Sequence, residues 1–461
     1  MQDIEIYQWG LIIVSSLLFF FLAPFSKKPS EFFSALSVKG KQPNIIMLTS
    51  SLVISWIFAK SITNAANLGL EYGMVGGIAY ATYYLSFIVA GIIIYKLRTK
   101  GNFNSIHHFL RSKFGSNAVL IFSVLIAIRL FNEVWSNTMV IGSYFGEMGS
   151  QPYYLAIIVF TALTLAYTLK GGLRSSLLTD AIQMVFFGIL LFVLLKLIMT
   201  DESQNISNYV GTGEWNFAGG LGLLLVAFLQ IFSYPFHDSV MTDRGFISPP
   251  KQTLKSFIAA AIIGFVCITL FSLIGIFAQF KGLKGQAAVE VGKYLGVGSM
   301  LMLNFIMVTS AASTLDSAFS SFSKLSIIDL KLQKLPTVKM GRIVMVILAV
   351  LGTIPIFLNP TILSATTISG TMVLGLAPIF LLWNLKAPKL SFFLAIFSGI
   401  LVGLIHAFDA FPEIMILTEG PYANLLSANI WGSILCFVGY IIPILVSNNK
   451  SNQAESIKTI S

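Results

Sequence analysis

Lys60, Arg129, Glu133, Asp180 and Asp316 all lie in stretches otherwise apolar enough to cross a membrane. A charged side chain at the bilayer centre costs about 3 kcal/mol on insertion scales. Such a group faces a partner or a cavity, and marks a functional site by default. Lys60 belongs to Ser55–Gly73, SWIFAKSITNAANLGLEYG, with Ser61, Thr63, Asn64 and Asn67 around it. Lipid solvates none of these side chains. Non-helical backbone at membrane depth survives only where protein or a water-filled cavity satisfies it. The segment therefore reads as a broken helix facing a binding cavity; the alternative is a plain helix whose polar face packs on its neighbours. Arg129 and Glu133, four apart, share one helical face. They can pair with each other, or the planar fork of Arg129 can clamp a substrate carboxylate. Asp180, with Gln183 one turn on, is either a site residue or a structural hydrogen-bond acceptor. In VTSAASTLDS (Val308–Ser317), Thr309, Ser313 and Asp316 follow i, i+4, i+7, with Ser310 and Ser317 beside them. A strip of hydroxyls glues membrane helices together or supplies oxygen ligands to a cation. Spacing alone leaves both open. A second interruption gathers Gln230, Ser233, Tyr234, Pro235, His237 and Asp238, where proline removes a backbone donor and kinks the helix.

The elements that hold these groups follow from composition. Of 461 residues, 56% are hydrophobic and 10% charged, against about 25% charged in a soluble domain. Mean hydropathy is +0.84. The chain is a polytopic membrane protein. Thirteen apolar segments occur, at 7–24, 44–70, 73–95, 116–145, 153–169, 175–199, 218–237, 256–280, 295–323, 340–359, 361–384, 390–408 and 426–447. Most reach the length needed to span. The start, MQDIEIYQWG, lacks a cationic leader, so the first segment reads as a retained helix. Of the 29 basic residues, 23 fall in alternate loops, from Lys27 to Lys458 and including Arg244 and Lys324. The opposite loops carry Glu71, Glu147, Glu214, Glu290 and Glu413. The positive-inside rule makes the first set cytoplasmic, with the N-terminus outside and the C-terminus inside the cell membrane. The net charge of +10 is thus a topology signal and no nucleic-acid footprint. Cys267 and Cys436 read as small buried hydrophobes, and NFNSIHHFLRSKFG as an interfacial helix.

The two interrupted segments stand at matching places of two five-helix halves, 44–199 and 218–384. That is the sequence pointer to an inverted-repeat transporter with its site between the breaks. The expected fold is all-α, a 5+5 inverted repeat with one extra N-terminal helix and two extra C-terminal helices over 390–447. Residues 1–447 then form a single transmembrane domain, and the polar stretch 448–461 a cytoplasmic tail without structure. The sequence holds no glycine-rich phosphate loop with lysine, no histidine–carboxylate cluster, no arginine-repeat voltage sensor and no selectivity filter. No enzyme chemistry, cofactor or obligate protein partner is indicated.

Four stretches in order resemble the sodium/solute symporter family, of LeuT-type fold. GGLRSSLLTDAIQ (Gly171–Gln183) is similar to the family's GG-L-x-A-V-x-x-T-D-x-x-Q. VTSAASTLDS resembles V-S-S-L-A-S-x-L-N-S, EFFSALSVKG (Glu31–Gly40) resembles D-Y-F-L-A-G-R-S, and DRGF (Asp243–Phe246) matches the cytoplasmic arginine after the sixth helix. The resemblance covers about residues 7–447. It implies sodium-coupled import of a small organic solute by alternating access. One sodium would sit among the carbonyls of Lys60, Thr63 and Ile306 and the hydroxyls of Thr309 and Ser310. A second would use Asp180, Thr309 and Ser313, although Ala312 replaces a family serine. Lys60 stands where members have a small residue, so its ammonium either replaces sodium, making transport proton-coupled or ion-independent, or binds an anionic group. Ala227 and Ile231 replace the aromatics of proline-specific members. Solute contacts are expected from Lys60, Asn64, Arg129, Glu133, Gln230 and Tyr234, for an acidic or zwitterionic solute. A sensor that binds solute without moving it is the rival class.

Overall fold

The computed structural model describes residues 2–37, 39–200, 205–358 and 369–460, and of the side chains those outside 2–3 and 448–460. In chain order the helices are α1 (Gln2–Leu22), α2 (Pro29–Ser34), α3 (Ile45–Trp56), α4 (Ala59–Ala81), α5 (Ser86–Thr99), α6 (Ile106–Phe114), α7 (Ser116–Gly142), α8 (Gln151–Gly171), α9 (Leu173–Thr200), α10 (Ile206–Val210), α11 (Leu221–Gln230), α12 (Ser239–Arg244), α13 (Pro250–Phe280), α14 (Ala287–Leu295), α15 (Val297–Lys324), α16 (Val338–Thr353), α17 (Leu376–Leu381), α18 (Lys389–Ala407) and α19 (Ala423–Ile460). Ten helical stretches among the described residues are long and apolar enough to cross a membrane, and α3 and α11 are shorter apolar helices. The predicted segment 361–384 falls partly on residues 359–368, outside the described ones. Where a tail without structure is predicted, the last helix continues to Ile460.

Capping chemistry sets several starts. Asn44, Ser105, Ser150 and Thr337 each accept, through the side chain, the backbone N–H three residues on, satisfying a donor the helix cannot. The interfacial segment forms α6. Lys113 near its end donates to the Trp383 carbonyl (2.7 Å) and the Tyr440 hydroxyl (3.3 Å), and burial pushes its ammonium down to about 8.

Two packed groups emerge. Helices α7, α8, α15 and α16 pack on one another; α3, α4 and α5 pack along α13, and α4 also on α11. Helix α9 lies between them, against α3 and α15, while α18 pairs with α19 and α1 covers α8 and α15. Helix α4 is not straight. Asn64 Nδ2 donates to the Tyr80 hydroxyl at 3.2 Å, whereas a straight helix would part these residues by about 24 Å. The chain folds back at Gly73, whose φ of 60° suits glycine. The expected second span starts at this residue.

Close backbone approach joins α4 to α13. A Cβ on Gly275 would lie 1.7 Å from the Ala66 carbonyl oxygen. Gly275→Ala is therefore expected to destabilise by at least about 1–3 kcal/mol through overpacking. Thermal unfolding in detergent checks this against Gly188→Ala, where a Cβ meets nothing within 4 Å; equal melting temperatures for the two variants would refute it.

Candidate functional site

The first break lies at Ile57–Phe58, between α3 and α4. Ile57 has φ −77° and ψ 70°. The Tyr84 hydroxyl takes up the freed Trp56 carbonyl at 2.6 Å. The second break follows α11, where Ser233 leaves helical geometry and Tyr234–His237 form a short 3-10 turn. Asp238 caps α12 by accepting from Met241 N (3.1 Å) and binds the indole N–H of Trp56 (2.9 Å). One carboxylate thus ties the two breaks together.

Four buried charges meet beside them. Glu133 accepts from Lys60 Nζ at 2.9 Å and pairs with Arg129 on its own helix. Arg129 also reaches Asp238 at 3.4 Å. Its guanidinium lies over the rings of Tyr234 (5.0 Å) and Phe58 (5.4 Å), a favourable cation–π geometry. Lys60 further donates to Ser136 (3.1 Å) and Asn132 (3.4 Å). Each of the four residues is at most 3% exposed. A pair of cations against a pair of carboxylates leaves the cluster neutral. Next to it, Trp56, Phe58, Ser61, Tyr80, Tyr83, Tyr84 and Tyr234 enclose a void of about 10 Å³, the space of one water. Larger cavities, of about 350 Å³ beside Asn104, Asp243 and Lys324 and about 500 Å³ beside Glu147 and Gln286, lie outside it. Within the first, Lys324 bridges Asp243 (2.5 Å) and Asp329 (3.6 Å).

A second polar cluster lies between α3, α9, α12 and α15. Arg244 is fully buried. Its guanidinium binds Asp180 at 3.0 Å, Ser51 and Ser317 at 2.7 Å and Ser55 at 3.2 Å. Ser313 donates to the other oxygen of Asp180 at 2.5 Å, and Ser51 donates to the Arg-facing one. Asp316 accepts from Ser176 (2.8 Å), Thr179 (2.9 Å) and Tyr167 (3.2 Å).

The structure brings together Lys60, Arg129, Glu133 and Tyr234 as one group, and Asp180 with Ser313 as another. Asn64 joins the aromatic enclosure through Tyr80. Gln230 accepts from Tyr83 (2.9 Å) and donates to Asn429 (2.8 Å), linking the enclosure to α19. Other expectations need correction. The break falls upstream of Lys60, so Lys60 and Thr63 lie within α4, and Thr63 donates to Ala59 O (3.1 Å). The carbonyl that meets the Ser310 hydroxyl is that of Ile57. Thr309 turns back to Phe305 O (2.9 Å) and Ile306 O (3.0 Å) of its own helix, away from Asp180. Lys60 points to Glu133 on α7 and so does not occupy the hydroxyl strip of α15. Arg129 is held by two carboxylates and is no free clamp. Arg244 is a core residue and no loop cation, because α12 re-enters the protein after the second break. Sequence reasoning also missed Trp56 and Asp238 as a bridge, a pairing of distant segments that no local pattern announces.

Comparison with known proteins agrees with this geometry. The sodium:solute symporter family model matches residues 39–211. The rice (Oryza sativa subsp. japonica) urea-proton symporter DUR3 is 23% identical over 88% of this chain, which spans 65% of that protein's length. Mouse sodium/myo-inositol cotransporter 2 is 31% identical over 30% of this chain and 22% of its own. Among solved structures, a Na+-coupled sialic acid symporter superposes with a TM-score of 0.71 at 15% identity, covering 96% of this chain and 98% of the other. Mhp1, a nucleobase-cation-symport-1 family transporter, superposes at 0.56 and 12% identity, covering 89% and 94%. The fold is of the LeuT type, and these relatives and neighbours are transporters, not enzymes. This chain is thus a multi-pass membrane protein of LeuT-type fold whose residues 39–211 match the sodium:solute symporter family.

Proposed function

We propose that this secondary active transporter imports a small, neutral, hydrogen-bonding solute of the urea or amide class together with a proton. The carrying observation is charge cancellation: Lys60 and Arg129 are matched by Glu133 and Asp238. An acidic solute would find no unpaired cation, whereas a neutral planar solute needs donors and acceptors beside aromatic faces. This replaces the acidic or zwitterionic solute expected from sequence. Proton coupling is supported by Arg244, whose guanidinium binds Asp180 where the resemblance would put a second sodium. The rice relative, a urea-proton symporter, agrees with this reading.

Sodium coupling is the second reading. The Ile57 carbonyl, freed by the break, meets Ser310 beside Thr309, the hydroxyl pair that the family resemblance assigns to sodium. Either cation gains about 2.3 kcal/mol per 100 mV of membrane potential. The orientation we propose has the N-terminus outside and the C-terminus in the cytoplasm.

Uptake of labelled urea into proteoliposomes tests both readings. An inside-alkaline gradient without sodium is expected to drive accumulation, abolished by a protonophore. Accumulation driven only by a sodium gradient would select the second reading. Accumulation of a dicarboxylate in place of urea would sink the neutral-solute assignment, and binding without accumulation would point to a sensor.

A further inference from the structure

Asp316 is a fully buried carboxylate in the C-terminal half of α15. It stands where the family pattern quoted above has asparagine. Its ionisable neighbours can be named from each helix packed there: Tyr167 from α8, Asp180 from α9 and Arg244 from α12. Helix α3 contributes only the hydroxyls of Ser51 and Ser55 to this cluster. Among the described residues no cation lies within ion-pair distance of Asp316, because the guanidinium of Arg244 is turned to Asp180. With both carboxylates ionised the cluster carries one uncompensated negative charge in a dry interior, an arrangement that costs several kcal/mol. With Asp316 protonated it is neutral.

The hydroxyls around Asp316 can serve both states. Tyr167 has two acceptors in reach at 3.2 Å, Asp316 Oδ2 and the Ala312 carbonyl. Thr179 reaches Oδ2 at 2.9 Å, Ser176 O at 3.0 Å and Ser175 O at 3.1 Å. When the carboxylate is ionised, both hydroxyls point their protons at Oδ2. When it is protonated, both rotate to backbone carbonyls, and Thr179 Oγ1 accepts the new O–H. No side chain has to move, and no donor or acceptor is stranded.

We propose that Asp316 is the proton-carrying carboxyl of this transporter: the carboxylate takes a proton from hydronium on one side of the membrane, leaving water, and returns it to water on the other. The proposal rests on the proton-coupled reading and names its site. Two readouts separate it from the choice of solute. The first needs no solute: infrared difference spectra between acid and alkaline pH, on reconstituted, sodium-free protein. Wild type is expected to show a protonated-carboxyl band that titrates. Asp316→Asn should lose the band, and Asp316→Glu should move its midpoint. A wild type without the band, or an Asp316→Asn variant that keeps it, overturns the proposal even if urea is transported. The second readout is urea transport. Wild type should accumulate urea up to about tenfold per pH unit of gradient for one proton. Asp316→Asn mimics the protonated side chain. It should still exchange urea across the membrane while its accumulation ratio falls to about unity; full accumulation by this variant overturns the proposal. If wild type carries no urea at all, the solute assignment fails while the infrared result still decides Asp316.

Discussion

Arg244→Gln is expected to destabilise the folded protein by about 3–5 kcal/mol, the cost of leaving one member of a buried ion pair alone. The residue is 0% exposed and its guanidinium serves Asp180, Ser51, Ser55 and Ser317 from four directions. Glutamine can replace some of these hydrogen bonds but none of the charge. Asp180, also fully buried, would lose its cation, and the serines of α3, α9 and α15 would lose a common donor. A thermal-unfolding series in detergent measures the effect. The double variant with Asp180→Asn should recover part of the loss, since neighbours that share a partner couple by about 0.5–3 kcal/mol. Losses that simply add would show that the pair is not the source of the stability. Transport should end in the single variant, because α12 is held to α3 and α9 through this contact.

Glu133→Gln is the second large expected effect, again about 3–5 kcal/mol. Glu133 is shared by Lys60 and Arg129, so its neutralisation sets an ammonium and a guanidinium side by side with only Asp238 to balance them. Restoring neutrality by adding Lys60→Met should return much of the stability. It should not return solute uptake if Lys60 contributes a donor to the solute. The measurement is melting temperature and urea uptake for the single and the double variant. A double variant no more stable than Glu133→Gln alone would mean that packing around Glu133, and not charge balance, dominates.

The legible features were those where physics leaves few choices. A charge inside an apolar run must be satisfied, and that alone pointed to Lys60, Arg129, Glu133 and Asp180. Proline and polar residues crowded at 230–238 announced the second break. The first break was blurred because Trp56, Ile57 and Phe58 are as apolar as the helix they interrupt. Apolarity hides a backbone irregularity whose carbonyls are taken up by distant hydroxyls, those of Tyr84 and Ser310. Arg244 was illegible for a different reason. A basic residue just past a span looks like a topology signal, and only the short helix α12 turns it inward. Pairing across helices distant in sequence, such as Trp56 with Asp238, has no local signature at all.

The fold at Gly73 has a mechanical consequence. Two antiparallel halves of α4 are joined by one residue, with no slack between them, and Asn64 and Ser61 pin the far side through Tyr80. Such a joint is stiff. The Ile57–Phe58 junction upstream is held by side chains instead, Tyr84 on the Trp56 carbonyl and Ser310 on that of Ile57, so bending that loosens these contacts concentrates there. The downstream part of the broken helix and its returning partner then behave as a single lever, with its fulcrum at the edge of the aromatic enclosure. Any force that tilts this lever toward one face of the membrane tilts it away from the other.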